Sequence, residues 1–144
     1  MSILEFFDKP IVTTLISLIG VSFVAAYISE RWQRRSKMYD LKLNQIREII
    51  SAYHHYLRLV KGDVNDLNGK PFDEIHALVI SLNKLNKCMF KSEKIYPNWD
   101  YVFQNLSSIR NDRIHSKEIN WDERIDPLRE KADEAIDIMF KELI

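Results

Sequence analysis

The sequence predicts an all-α protein: a single N-terminal transmembrane helix continuing into a cytoplasmic helical bundle of about four helices. Three observations predict it. An uncharged apolar run, IVTTLISLIGVSFVAAYI, occupies Ile11 to Ile28. Glycine and proline number three and four in 144 residues, so few positions break a helix. Beyond the run, apolar residues recur at Tyr39, Leu43, Ile46, Ile50, Tyr53, Leu57 and Val60, the alternating four-three spacing of an a/d seam. The expected organisation is a short extracytoplasmic N-terminus at 1–10, a transmembrane helix at 11–30 and a cytoplasmic helical domain at 31–144.

The apolar run makes a helix about 27 Å long, against a bilayer core of roughly 30 Å. A core helix of a soluble domain would show one polar face, and this one shows none. Its hydroxyls, on Thr13, Thr14, Ser17, Ser22 and Tyr27, can bond to the helix's own backbone or to a neighbouring helix. Arg31, Arg34, Arg35 and Lys37 follow the run, whereas the N-terminal flank holds only Glu5, Asp8 and Lys9. Cations stay on the cytoplasmic side, so the N-terminus is expected outside and the C-terminal domain inside. Tyr27 and Trp32 fall where an interfacial aromatic belt lies. The flank lacks the positive excess of a cleaved signal peptide and the apolar run is too long for one, so an uncleaved single-pass anchor is expected. Thr13, Ser17 and Gly20 share one face of the span and supply a small-residue surface for helix packing or pore lining.

The first helix is expected to run on without interruption and to stop at Lys61-Gly62. Its seam serves either as bundle core or as a coiled coil with a sister chain. His54 and His55 flank it as partly exposed helix residues, not ligands. Gly62 to Pro71 reads as a turn-rich loop, and its Asp63-Val64-Asn65-Asp66 run lacks the later glutamate of a calcium loop. A second helix is expected from Phe72 to Phe90, with Phe72, Ile75, Leu78, Val79, Leu82, Leu85 and Met89 on its apolar face. His76 lies beside that face without a second ligand at metal spacing, so no zinc or other metal site and no cofactor are expected. Cys88 rules out an intramolecular disulfide and reads as a small packing residue.

A third helix is expected from Asn98, with Trp99, Val102, Phe103, Leu106, Ile109 and Ile114 facing the core. Arg110 lies four residues after Leu106, so it points toward the bundle or its edge and must find a partner there. Ser116 to Ile125 reads as irregular. Asp126-Pro127 reads as the start of the last helix, which buries Leu128, Ala132, Ala135, Ile136, Met139 and Leu143.

Formal net charge is zero, which excludes a strong bulk attraction for nucleic acid. Charge is uneven, however: Lys84 to Lys117 holds seven cations against three anions, and Glu118 to the end holds nine acids against four bases. A local basic surface facing an acidic C-terminal helix is one reading, and ordinary salt-bridged helix faces are the other.

The run Arg110-Asn111-Asp112-Arg113-Ile114-His115 reads R-N-x-x-x-H. It resembles the R-[N/D/H]-x-x-x-H signature of the HEPN superfamily (higher eukaryote and prokaryote nucleotide-binding), whose all-helical domains include metal-independent ribonucleases. The resemblance implies His115 as proton-transfer group, Arg110 as phosphate clamp and Asn111 as positioning group, in a composite site formed by two domains. The order of anchor, basic collar, long helix and motif-bearing bundle is similar to that of the small membrane-anchored HEPN accessory proteins of RNA-targeting type VI CRISPR systems. That likeness implies a homo-oligomer in the bacterial inner (plasma) membrane, whose N-terminal helices form or gate a pore during antiviral defence beside an RNA-guided nuclease. Two alternatives stay open: a membrane-tethered endoribonuclease acting on RNA, and a cyclic-nucleotide sensor using the Lys84–Lys117 surface.

Overall fold

A computed structural model describes residues 10–144, with side chains from residue 12 onward. The described chain is all-helical. It comprises α1 (Pro10–Lys61), a 3₁₀ turn (Val64–Asn68), α2 (Lys70–Met89), α3 (Ile95–Ile114) and α4 (Trp121–Lys141). It divides into two units, one reaching Asp40 and one spanning Leu41–Ile144. Residues 31–40 thus group with the apolar run.

In the first unit, α1 includes a stretch long and apolar enough to cross a membrane, with mean hydropathy 1.9 and none of it buried against the rest of the chain. Leu15, Leu18, Val21, Phe23 and Ile28 are all exposed. Ser22 Oγ donates to the Leu18 carbonyl at 2.8 Å, four residues back, so this hydroxyl satisfies itself within the helix. The side chain of Ile11 lies outside the described residues.

The second unit is an up-down-up-down arrangement of the end of α1 with α2, α3 and α4. Gln45 Nε2 donates to the Leu82 carbonyl near the start of the unit, while Tyr56 lies against Phe72 and His76, so α1 and α2 run antiparallel. Tyr53 meets Trp99 and Tyr56 meets Phe103, so α3 runs parallel to α1. Trp99 Nε1 lies 3.3 Å from Met139 Sδ, and Arg124 reaches Ser108 and Asp112, so α4 runs back along α3. One end of the unit therefore gathers Leu41, the α2–α3 loop and the end of α4. The other gathers the end of α1, the 3₁₀ turn, the end of α3 and the start of α4. Twenty residues of α3 separate them, about 30 Å.

Helical periodicity explains most of the core. Phe72, Ile75, Val79 and Leu82 of α2, Trp99, Val102, Phe103, Leu106 and Ile109 of α3, and Leu128, Ala132, Ala135 and Met139 of α4 are all buried as their spacing predicts. In α1 the seam widens. Ile46, Ile49, Tyr53, Tyr56, Leu57 and Val60 are buried, Ile50 is half-buried and Tyr39 is exposed. A helix surrounded by three others buries a broader stripe than a two-stranded a/d seam.

Four expectations need correction. Leu78 and Leu85 are exposed, and Asn83 and Asn86 occupy the inward positions of α2 instead. Those amides form a chain: Gln45 Nε2 donates to Asn86 Oδ1 (2.9 Å), Asn86 Nδ2 to Asn83 Oδ1 (3.0 Å) and Asn83 Nδ2 to the Tyr96 carbonyl (3.2 Å). Cys88 is exposed, not a packing residue. Helix α3 begins at Ile95, which is fully buried, with Pro97 in its first turn, where a missing N–H costs nothing. Helix α4 begins at Trp121. Asn120 caps it by accepting from the Glu123 N–H (3.4 Å), and Asp122 and Glu123 complement the helix dipole in the first turn. Pro127 therefore lies inside the helix and does not start it.

Candidate functional site

The three motif residues come together where α3 ends. The helix ends at Ile114 with His115 as its C-cap, and Ser116 then takes a positive φ of 58°. The Lys117 N–H bonds back to the Asp112 carbonyl at 2.9 Å, closing a Schellman-type turn. Serine in this left-handed conformation carries a cost that glycine would not.

Arg110 turns inward, as its position relative to Phe103 and Leu106 requires. Its Nε donates to the Leu67 carbonyl at 2.9 Å, and its guanidinium lies over the Phe72 ring, 4.2 Å from the centroid. Leu67 is the one buried residue of the 3₁₀ turn, and Asp63 caps that turn by accepting from the Asn65 N–H. Arg110 Nη1 also donates to Asn111 Oδ1 at 3.1 Å. Two of the five guanidinium N–H groups are thereby engaged within the chain.

His115 turns outward and is exposed. Its Nδ1 lies 2.9 Å from the Asn111 carbonyl oxygen, which can only accept. Nδ1 therefore carries the proton in the neutral ring, and Nε2 presents a lone pair to solvent. Asn111 holds both partners, Arg110 through its side chain and His115 through its main chain. Such an arrangement offers fixed positive donors and an accessible imidazole nitrogen, the two functions an attack on a phosphodiester needs.

Three neighbours were not marked by the sequence pattern. Arg113 Nη1 donates to the carbonyls of Val60 (2.6 Å) and Gly62 (2.5 Å), so it caps the C-terminal end of α1, and its guanidinium lies 5.6 Å from the Trp121 ring centroid. Asp112 accepts from Arg124 at 2.7 Å and lies 3.7 Å from Lys117 Nζ; the Arg124 bond holds its carboxyl below the usual carboxylate range. Beneath Arg110, His76 stacks on Phe72 and its Nδ1 shares a 3.0 Å hydrogen bond with the Tyr56 hydroxyl. Burial pushes the Tyr56 hydroxyl well above the usual tyrosine range, so it stays protonated. The bonds of Arg113 to Val60 and Gly62, and of His76 to Tyr56, join positions 20 to 53 apart in the chain, which is why spacing alone did not reveal them.

Thr13, Ser17 and Gly20 lie on the exposed surface of the first unit, and a Cβ built on Gly20 meets nothing within 4 Å. Ile28 is exposed as well. Among the described residues no group of three or more His, Cys, Asp or Glu side chains could hold a metal ion. The basic stretch from Lys84 to Lys117 does not form one surface: Arg110 and Arg113 bond to carbonyls at one end of the unit, and Lys87, Lys91 and Lys94 sit around the loop at the other. Compared with family models, curated proteins and solved structures, the chain gives no match in any of the three.

Proposed function

We propose that the protein is a membrane-anchored effector of antiviral, CRISPR-type defence. The apolar run of α1 crosses the bacterial inner membrane with its N-terminus outside. Copies of that helix associate to form or gate a pore, and the HEPN-like bundle in the cytoplasm serves assembly and signal reception. The observation that supports this reading is the unburied apolar stretch of α1. An exposed apolar patch of that size needs either lipid or other copies of itself. The open space around Gly20 makes the test sharp. Gly20→Leu adds a side chain that a lone helix accommodates freely, whereas a packed helix interface does not. Full-length protein in vesicles holding a potassium diffusion potential should dissipate it, and the Gly20→Leu variant should cross-link less and dissipate less. A potential that holds with the incorporated protein refutes the pore.

The geometry of the motif favours a second reading, a membrane-tethered metal-independent endoribonuclease. His115 Nε2 is open to solvent, and Arg110 keeps donors beyond those bonded to Leu67 and Asn111. End-labelled RNA incubated with the full-length protein in chelator should then give fragments ending in a 2′,3′-cyclic phosphate, and His115→Ala should abolish them. No cleavage by a folded protein leaves the motif an architectural element.

A further inference from the structure

We propose that the end of the bundle at which the chain enters is a docking face for an anionic membrane surface. Lys42, Lys84, Lys87, Lys91 and Lys94 gather there, around the α2–α3 loop. Lys42 lies over the Phe90 ring, and Lys87 lies over Tyr96 at 3.8 Å. Among the described residues none of these five lysines makes an ion pair. Elsewhere in the unit Lys70, Lys117 and Lys131 each pair with a carboxylate, and at this end Lys141 pairs with Asp137. The acids at this end do little to offset them. Glu142 uses both carboxylate oxygens to accept from the main-chain N–H groups of Lys91 and Ser92, which fixes the loop, and Glu93 is exposed.

Apolar side chains crowd the same end. Leu41, Leu85, Phe140 and Ile144 are four of the unit's large exposed hydrophobic residues. Unpaired lysines mixed with exposed aliphatic and aromatic groups suit an interface between headgroups and acyl chains better than a phosphodiester backbone, which offers nothing to Leu41 or Phe140. Chain connection supplies proximity: thirteen residues lie between Ile28, at the end of the apolar run, and Lys42. The proposal rests on the membrane-span reading above. It adds that the bundle itself grips anionic lipid.

Cys88, exposed in the last turn of α2 between Lys87 and Lys91, is the chain's one cysteine and takes a fluorophore without mutation. Full-length labelled protein is reconstituted in phosphatidylcholine vesicles, with and without phosphatidylglycerol, carrying a headgroup nitroxide quencher. Quenching should rise with phosphatidylglycerol and fall with salt. Replacing Lys84, Lys87, Lys91 and Lys94 with Gln should lower the docked population by at least about fivefold, the effect of a single surface lysine. Equal quenching in both vesicles, or in the substituted protein, overturns the proposal and leaves any attraction to Arg31–Lys37. Lysine-dependent displacement of the label by RNA overturns it in favour of a nucleic-acid surface. Flotation of the vesicles reports incorporation separately, so a failed span is distinguished from a failed docking face.

Discussion

His115 Nδ1 is held 2.9 Å from the main-chain oxygen of Asn111, within the same turn of α3 that carries Arg110. The bond fixes the neutral ring with its proton on Nδ1, the minor tautomer of a free histidine. Long-range proton–nitrogen correlation spectra above the histidine titration should show this tautomer for His115. Because the ring is exposed and buries nothing, His115→Ala should change stability by no more than about 0.5 kcal/mol. A larger loss would mean that His115 is structural.

Arg110→Ala should behave differently. It removes the bond to the Leu67 carbonyl and the contact with the Phe72 face, and leaves that carbonyl without its donor. A cost of about 2 kcal/mol is expected in urea titrations. Arg110→Lys keeps the charge but not the planar fork, and should recover only part of the loss.

The inward face of α2 can be tested by contrast. Asn86→Leu removes the acceptor of one Gln45 N–H and the donor to Asn83 Oδ1, and should cost about 1–3 kcal/mol, although leucine is the more apolar residue. Leu78→Ser and Leu85→Ser touch exposed positions and should each stay within about 0.5 kcal/mol. The ranking from hydropathy alone is the reverse, so thermal midpoints of the three variants decide.

Asp112 gives the bundle an acid-sensitive contact. Its carboxyl is held low chiefly by the hydrogen bond from Arg124, with Lys117 adding to it. A group whose folded value is depressed contributes fully above the ordinary carboxylate range, near pH 4, and loses that contribution as the pH falls below it. Asp112→Asn should therefore be less stable than the unaltered protein at neutral pH. The gap should narrow steadily as solutions are acidified below about pH 4.

Ser116→Gly should stabilise the protein by about 0.5–1 kcal/mol, because the turn after His115 holds a non-glycine residue at positive φ. A gain in thermal midpoint with unchanged His115 resonances would show that the strain serves no positioning role. A gain accompanied by a shifted ring would show that serine helps aim the imidazole.

What was legible in the sequence was whatever a period of 3.6 residues carries: four helices, the uninterrupted α1, the buried faces of α3 and α4, and the inward turn of Arg110. Legibility ended where two signals competed. Pro127 reads as a helix start, yet Asn120 with Glu123 supplied a stronger cap one and a half turns earlier. Leucine outranks asparagine in hydropathy, yet Asn83 and Asn86 are inside because Gln45 and the Tyr96 carbonyl complete their bonds. Of the candidate site, the motif's residue types were visible. The contacts of Arg110 with the Leu67 carbonyl and Phe72 were not, because both lie about forty positions away, Leu67 in a segment that reads as a loop and Phe72 at the start of the next helix.

The latch between Glu142 and the N–H groups of Lys91 and Ser92 joins positions about fifty residues apart. Most other ties in the bundle link consecutive helices, a low contact order that favours fast folding. The ribosome delivers residues at about 5–20 per second, so the loop waits roughly 3–10 s for its carboxylate. Through that interval the three earlier helices can pair while the lysine loop stays unlatched. The apolar run precedes the bundle in the chain, so it is made in full before the bundle closes.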